Sequence, residues 1–246
     1  MTVVGSIEPG GSEWNYFLGG VPPLSYFDIE CHEIEAIIKA DAEPEEGLGF
    51  ASALGLIGLV AYFEGFWRAL FSAAINICPP ILEHFVEARP EFAVPLRDLI
   101  HAQSPAAPYI GFIVGERLDF GSAKAVNGAF VNLLRVSPFT KSDASDFDRL
   151  SRIRNVLVHY GGVETLKYTG ADHERLKLER RLFYDSVSVK KTDALLWSSF
   201  LKRVAVKASR ATYDALGEYI VARQLEATVG ARKARDLLVE RLWATE

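Results

Sequence analysis

The amino-acid sequence predicts an all-α protein, a helical bundle interrupted by one small β-hairpin. Three observations carry this. From about 49 to 78, Leu56, Val60, Phe63, Trp67, Leu70 and Ala74 recur at three- and four-residue steps, the period of a helix with one buried face. The run 142–160 combines a polar cap, an apolar stripe and a Gly161-Gly162 stop. A third run opens at Thr192-Asp193 and reads as a long helix to about Thr228.

Taken in order, residues 1–24 read as an irregular lead-in punctuated by Gly10-Gly11, Gly19-Gly20 and Pro22-Pro23. Residues 25–40 fit neither the helical nor the extended period, so helix and strand both stay open. A loop at 42–47 precedes the helix of 49–78, which Pro79-Pro80 end. A weaker helix is expected over 91–102 and a Pro- and Gly-broken loop over 104–121. Ser122 caps a helix to about Arg135, ended by Ser137-Pro138. Ser142 or Asp143 caps the next, whose stripe is Phe147, Leu150, Ile153, Leu157 and Tyr160. Leu176, Leu178, Val187 and Val189 alternate with polar residues and suggest a small hairpin or an irregular arm near 174–190. After the long helix, Gly230 is expected to break the chain before a last helix over 231–244. The domain reading is an N-terminal extension, 1–47, followed by one helical domain, 48–246, that holds the hairpin.

Composition narrows the function. With 49% hydrophobic and 24% charged residues among 246, the chain can build a substantial core. Cys31 and Cys78 form no CxxC and no spacing suited to zinc, so both read as reduced, buried thiols of a cytoplasmic protein, with no structural metal and no cofactor expected. The first residues lack a basic and then apolar leader, so no secretory signal is expected. Gly47–Phe63 is apolar, but it is rich in Gly, Ala and Ser and runs into Glu64 and Arg68. It reads as a core helix rather than a membrane span.

The net charge of −5 argues against bulk nucleic-acid binding. The charge is uneven, however. Acids crowd the first fifty residues, and cations crowd 175–210, from Arg175 through Lys202, Arg203 and Lys207 to Arg210. That basic stretch can be a phosphate-binding face or a solvated surface.

On a wheel at ~100° per residue, Asp148, Arg152, Asn155 and His159 gather opposite the stripe of the 142–160 helix. Asn155 and His159 are four apart and are neighbours. Arg154 lies at the edge of the stripe, ~140° from His159. A polar helix face of this kind is often no more than a wet surface, and Arg154 can equally be a structural arginine paired with Glu64. His84, His101 and His173 stand alone, and Cys31-His32 offers no readable nucleophile–base geometry.

The run Arg154-Asn155-Val156-Leu157-Val158-His159 resembles the motif of the HEPN superfamily: an Arg, four to six residues, then a His, with a polar residue directly after the Arg. The setting is similar too: a position late on a helix before glycines, an earlier helix with Tyr62-Phe63-Glu64, and a hairpin and long helix over 174–228. The similarity spans roughly 48–228 and is closest to the small bacterial MAE- and RiboL-PSP-like groups. It implies a HEPN-like bundle, a homodimer that brings two motifs together, and RNA as substrate. It also implies metal-free cleavage by the 2′-hydroxyl, in a toxin or antiviral defence effector with an antitoxin or defence-system partner. Arg154, Asn155 and His159 would be catalytic, with Glu64, Arg152 and Tyr160 supporting. Arg152 also satisfies the looser spacing to His159. Tyr160 stands one place earlier than the tyrosine of the branch paired with nucleotidyltransferase antitoxins, which favours a core role for it. The alternative is a non-catalytic HEPN dimer that binds RNA or a protein.

Overall fold

In the computed structural model of the chain, residues 3–4, 12–40, 49–94, 110–163 and 187–241 are described, and eight helices run through them. Two short 3-10 turns, Glu13–Tyr16 and Leu18–Gly20, lead into α1, Pro23–Ala40. The ambiguous stretch 25–40 is therefore helical. Leu24, Phe27, Cys31 and Ile38 are buried on one side of it, at helical spacing. Together with Tyr16 and Phe17, these residues belong to the same hydrophobic core as the rest of the chain.

The second helix, α2, spans Phe50–Ile77 and is the centre of the molecule. Its stripe residues Leu56, Val60, Phe63, Trp67, Leu70 and Ala74 are all fully buried. Among the described residues, α2 alone is long and apolar enough to cross a membrane. Its C-terminal part is packed by protein, with residues 70–77 buried throughout.

The Pro79-Pro80 pair ends α2 and starts the next turn, since proline suits the first positions of a helix. That turn, Pro79–Ile81, feeds α3, Leu82–Ala88. The helix expected over 91–102 is thus displaced: residues 91–94 are not helical, and 95–102 lie outside the described residues. Pro90 explains the break, because it disfavours helical backbone at Arg89, which sits at φ −139°, ψ 67°.

A short helix, α4, Ile110–Gly115, occupies part of the expected 104–121 loop. Then come α5, Ala123–Leu134, capped by Ser122 as expected, and α6, Lys141–Tyr160. The long α7, Lys191–Ala222, ends six residues before the expected Thr228. Gln224 takes a left-handed φ of 52° just beyond it. Glu226–Ala227, β2, then pairs in parallel with Val3–Val4, β1. The last helix, α8, is Val229–Leu237, so Gly230 lies inside its first turn and Thr228 is its cap. The hairpin expected near 174–190 lies outside the described residues except for 187–190, which are neither helix nor strand.

Around α2 pack α1, α4, α6 and α7. Aromatic rings knit the centre: Phe63 meets Phe27, Trp67, Phe139 and Phe147, and Trp67 meets Phe130, all with centroids 5.2–6.3 Å apart. Such edge and tilted contacts add to the burial of their area.

Candidate functional site

The candidate residues ride on α6, so its ends and anchors set the site. Its cap is Thr140, not Ser142 or Asp143. The Thr140 hydroxyl accepts from the Asp143 backbone N–H at 3.1 Å and donates to the Asp143 carboxylate at 2.7 Å. The Thr140 N–H completes this capping box. Asp143 is 7% exposed and also accepts from Lys207 at 2.7 Å and Arg203 at 3.3 Å, both on α7. Burial alone would raise the Asp143 carboxyl. The bonds from Lys207 and Thr140 outweigh it and hold the group down at about 2.

At the other end, Gly161 and Gly162 take left-handed φ of 59° and 85°, as the expected glycine stop requires. The Gly162 N–H donates to Val156 O at 3.1 Å, and Gly162 O accepts from Val187 N at 2.7 Å. The last turn of α6 is thus tied to residues 187–190, which lead into α7.

Between these anchors the expected stripe faces inward. Phe147 and Leu150 are buried, and Ile153 and Leu157 pack against the core. Arg154 points toward α2, where its Nη2 donates to Glu64 Oε1 in an ion pair. The two side chains are 22% and 27% exposed, and the Arg154 Nε is buried without a partner. Glu64 also borders the turn before α5: a Cβ built on Gly121 would lie 3.6 Å from its Oε1.

The polar residues of α6 do not share one fate. Asp148 serves the fold by accepting from the Ala123 N–H at 3.3 Å, at the start of α5. Arg152 and His159 are exposed, and Asn155 and Tyr160 are half-buried. The His159 side chain has no hydrogen bond or ion pair among the described residues. Arg154 and Glu64 are therefore brought together, whereas Arg154 and His159 sit ~140° apart round the helix.

Among the described residues, most cations of the basic stretch are spent on internal pairing. Lys202 and Ser198 bond Glu35 on α1, Arg203 and Lys207 bond Asp143, and Arg210 pairs with Asp214 at 3.3 Å. Burial would raise the Glu35 carboxyl, but the bonds from Lys202 and Ser198 hold it below its ordinary value. Residues 175–186 lie outside the described residues, as do His101 and His173. His84 packs edge-on against Tyr219 with centroids 5.0 Å apart. Cys31 and Cys78 are free and buried, and burial pushes both thiols up to about 12. Among the described residues, no three His, Cys, Asp or Glu side chains group to hold a metal ion.

One feature was not visible in the sequence. A cleft of about 420 Å³ opens between α6 and α7, with Leu56 of α2 and residues 187–189 completing its wall. Trp197 and Phe200, three apart on α7, are the residues that could have signalled it. Comparison of the chain with family models, with curated proteins and with solved structures finds no match to any of them.

Proposed function

We propose that the chain is a metal-independent endoribonuclease of the HEPN type, working as a homodimer in the cytoplasm as a toxin or antiviral defence effector. The observation that carries this reading is the end of α6. There an exposed, unpartnered His159 lies one turn beyond half-buried Asn155, and Arg154 of the same motif is fixed by Glu64.

In this reading His159 takes the proton of an RNA 2′-hydroxyl. The 2′-oxygen forms a bond to phosphorus, the P–O5′ bond breaks, and a 2′,3′-cyclic phosphate and a free 5′-hydroxyl result. The leaving 5′-oxygen needs a proton, which His159 of a second copy supplies. Arg154 neutralises charge on the phosphorane oxygens through its planar fork. Asn155 orients the imidazole or holds a non-bridging oxygen. Because Arg154 and His159 diverge round one helix, a two-fold pair of α6 helices is the arrangement that puts both types of group on one phosphate. Exposed Val158 and Val163 beside His159 give such a pair apolar surface to cover.

His159→Ala is the test. It should abolish cutting of single-stranded RNA in EDTA while the protein keeps its oligomeric state, and DNA should never be cut. Undiminished cutting by that variant removes the proposal. The same divergence of Arg154 and His159 supports a second reading, a non-catalytic dimer that binds RNA or an antitoxin or defence protein. Pure wild-type protein that binds RNA or such a partner but never cleaves favours it.

A further inference from the structure

We propose that the cleft between α6 and α7 is a guanine-binding subsite. It rests on the ribonuclease reading only in placing that guanine on an RNA strand. The cleft volume, about 420 Å³, falls in the range that accommodates a small organic ligand.

The walls suit a planar ring. Trp197 and Phe200 meet edge to face at 5.7 Å and 82°, an arrangement that occupies a face of only one ring. Arg203 lies over Phe200 at 5.4 Å. Trp197 lines the cleft beside Phe200, and base–aromatic stacking is the sequence-tolerant part of single-strand binding. Leu56 and Ile153 close the apolar side.

The charges select the base. Asp146, Arg149 and Asp193 line the cleft, and none has a side-chain hydrogen bond or ion pair among the described residues. This sets them apart from their neighbours Lys202, Arg203 and Lys207, which are all paired. Asp193 is explained by its place in the first turn of α7, where the helix dipole favours a carboxylate. Asp146 has no such explanation. It is half-buried beside apolar walls, where an unsatisfied carboxylate is costly.

An ionised carboxylate only accepts hydrogen bonds. Guanine alone among the RNA bases presents two adjacent N–H donors, N1–H and the 2-amino group, which one carboxylate can accept together. Adenine and cytosine each set an amino group beside an acceptor nitrogen. Uracil sets its single N–H between two carbonyls. Arg149, one turn beyond Asp146, is placed for a phosphate. Ile153 in the cleft wall precedes His159 by six residues, about 9 Å along the helix axis. Asp146, which reads the base, precedes His159 by thirteen residues, about 20 Å along the axis, so a guanine seated in the cleft lies several nucleotides from the scissile bond.

The test is calorimetric titration of the full chain with 5′-GMP and with 5′-AMP, which requires no cleavage. GMP should bind at least about tenfold more tightly than AMP, the discrimination typical of a bidentate base contact. Asp146→Asn should erase that preference, and Trp197→Ala should weaken both nucleotides. If Trp197→Ala does not fold, the near-isosteric Asp146→Asn still decides. Equal binding of GMP and AMP, no binding of either, or an unchanged preference in Asp146→Asn overturns the subsite. RNA cutting without GMP binding sinks the subsite alone. GMP binding by a chain that cuts no RNA keeps the subsite and sinks the ribonuclease reading.

Discussion

Arg154 on α6 donates to Glu64 on α2, ninety positions away in the chain, and the pair pins the motif helix to the central helix. Both side chains are roughly a quarter exposed, so the pair is worth more than a surface ion pair and less than a buried one. A double-mutant cycle with Arg154→Ala and Glu64→Ala should give a coupling of about 1–2 kcal/mol in urea unfolding. Strict additivity would mean that the pair is energetically idle and does not position Arg154.

The same pair separates the two candidate arginines. Arg152 is exposed and lies about 20° from His159 on the wheel, whereas Arg154 is held on the α2 side. If two copies assemble the site, Arg154→Ala should lower the RNA cleavage rate about 10²–10³-fold, as loss of a positioned donor does. Arg152→Ala should then cost less than about tenfold, because a mobile surface charge contributes through screened attraction only. The opposite ranking assigns the phosphate contact to Arg152.

Helices α2, α5, α6 and α7 were legible because their signals are local: an apolar period, the Ser122 cap and the Gly161 stop. Helix α1 was not, because its period is mixed and burial of Phe27 and Cys31 settles it. Helix α4 hides in a stretch that reads as a loop because of Gly111 and Gly115, both of which pack against α2. The Thr140 cap was missed because Ser142 and Asp143 are equally good cap residues in isolation. What distinguishes Asp143 is Lys207, sixty-four positions on. At the site, the Arg154–Glu64 pairing was one of the open readings of Arg154, and the motif rested on a resemblance rather than on spacing. The cleft was not legible, because it is assembled from three helices and residues 187–189.

Asp143 makes stability pH-dependent in acid. Its folded-state value, about 2, lies below the ordinary aspartate value of about 3.9. A depressed carboxylate contributes stability that is complete above its unfolded value and is lost as pH falls through the folded one. The window therefore runs from about pH 4 down to about pH 2, and the loss is about 2 kcal/mol. Glu35, lowered for similar reasons, acts in the same direction. In urea titrations across this window, Asp143→Asn should be less stable than the wild type at neutral pH and should show a flatter acid limb. Parallel curves for the two proteins would mean that Lys207 does not hold Asp143 as an ion pair.

The buried thiols predict a separate behaviour. With Cys31 and Cys78 enclosed and pushed up to about 12, almost no thiolate is present at pH 8. A disulfide reagent should label neither cysteine in the native protein and both in denaturant. Rapid native labelling of either one would reveal local opening at that helix.

Gly111 tests how α4 is held. Its N–H donates to the Asn76 side chain at 2.8 Å, and Asn76 in turn donates to Tyr16 O at 3.2 Å, so one buried amide joins α4, α2 and the first 3-10 turn. A Cβ at Gly111 would fall 2.1 Å from Ser72 O and 2.6 Å from Asn76 Oδ1. Neither neighbour can yield cheaply: one is helix backbone, and the other is an amide committed on both sides. Gly111→Ala should therefore cost about 3 kcal/mol or more, outweighing the ~1 kcal/mol that alanine gains as a helix former. Gly128 in α5 is the control. It is exposed, with nothing within 4 Å of its added Cβ. There alanine should stabilise by roughly 0.5–1 kcal/mol. Opposite signs in thermal melts of the two variants follow from close packing of α4 on α2. A harmless Gly111→Ala would mean that α4 is not seated on that helix.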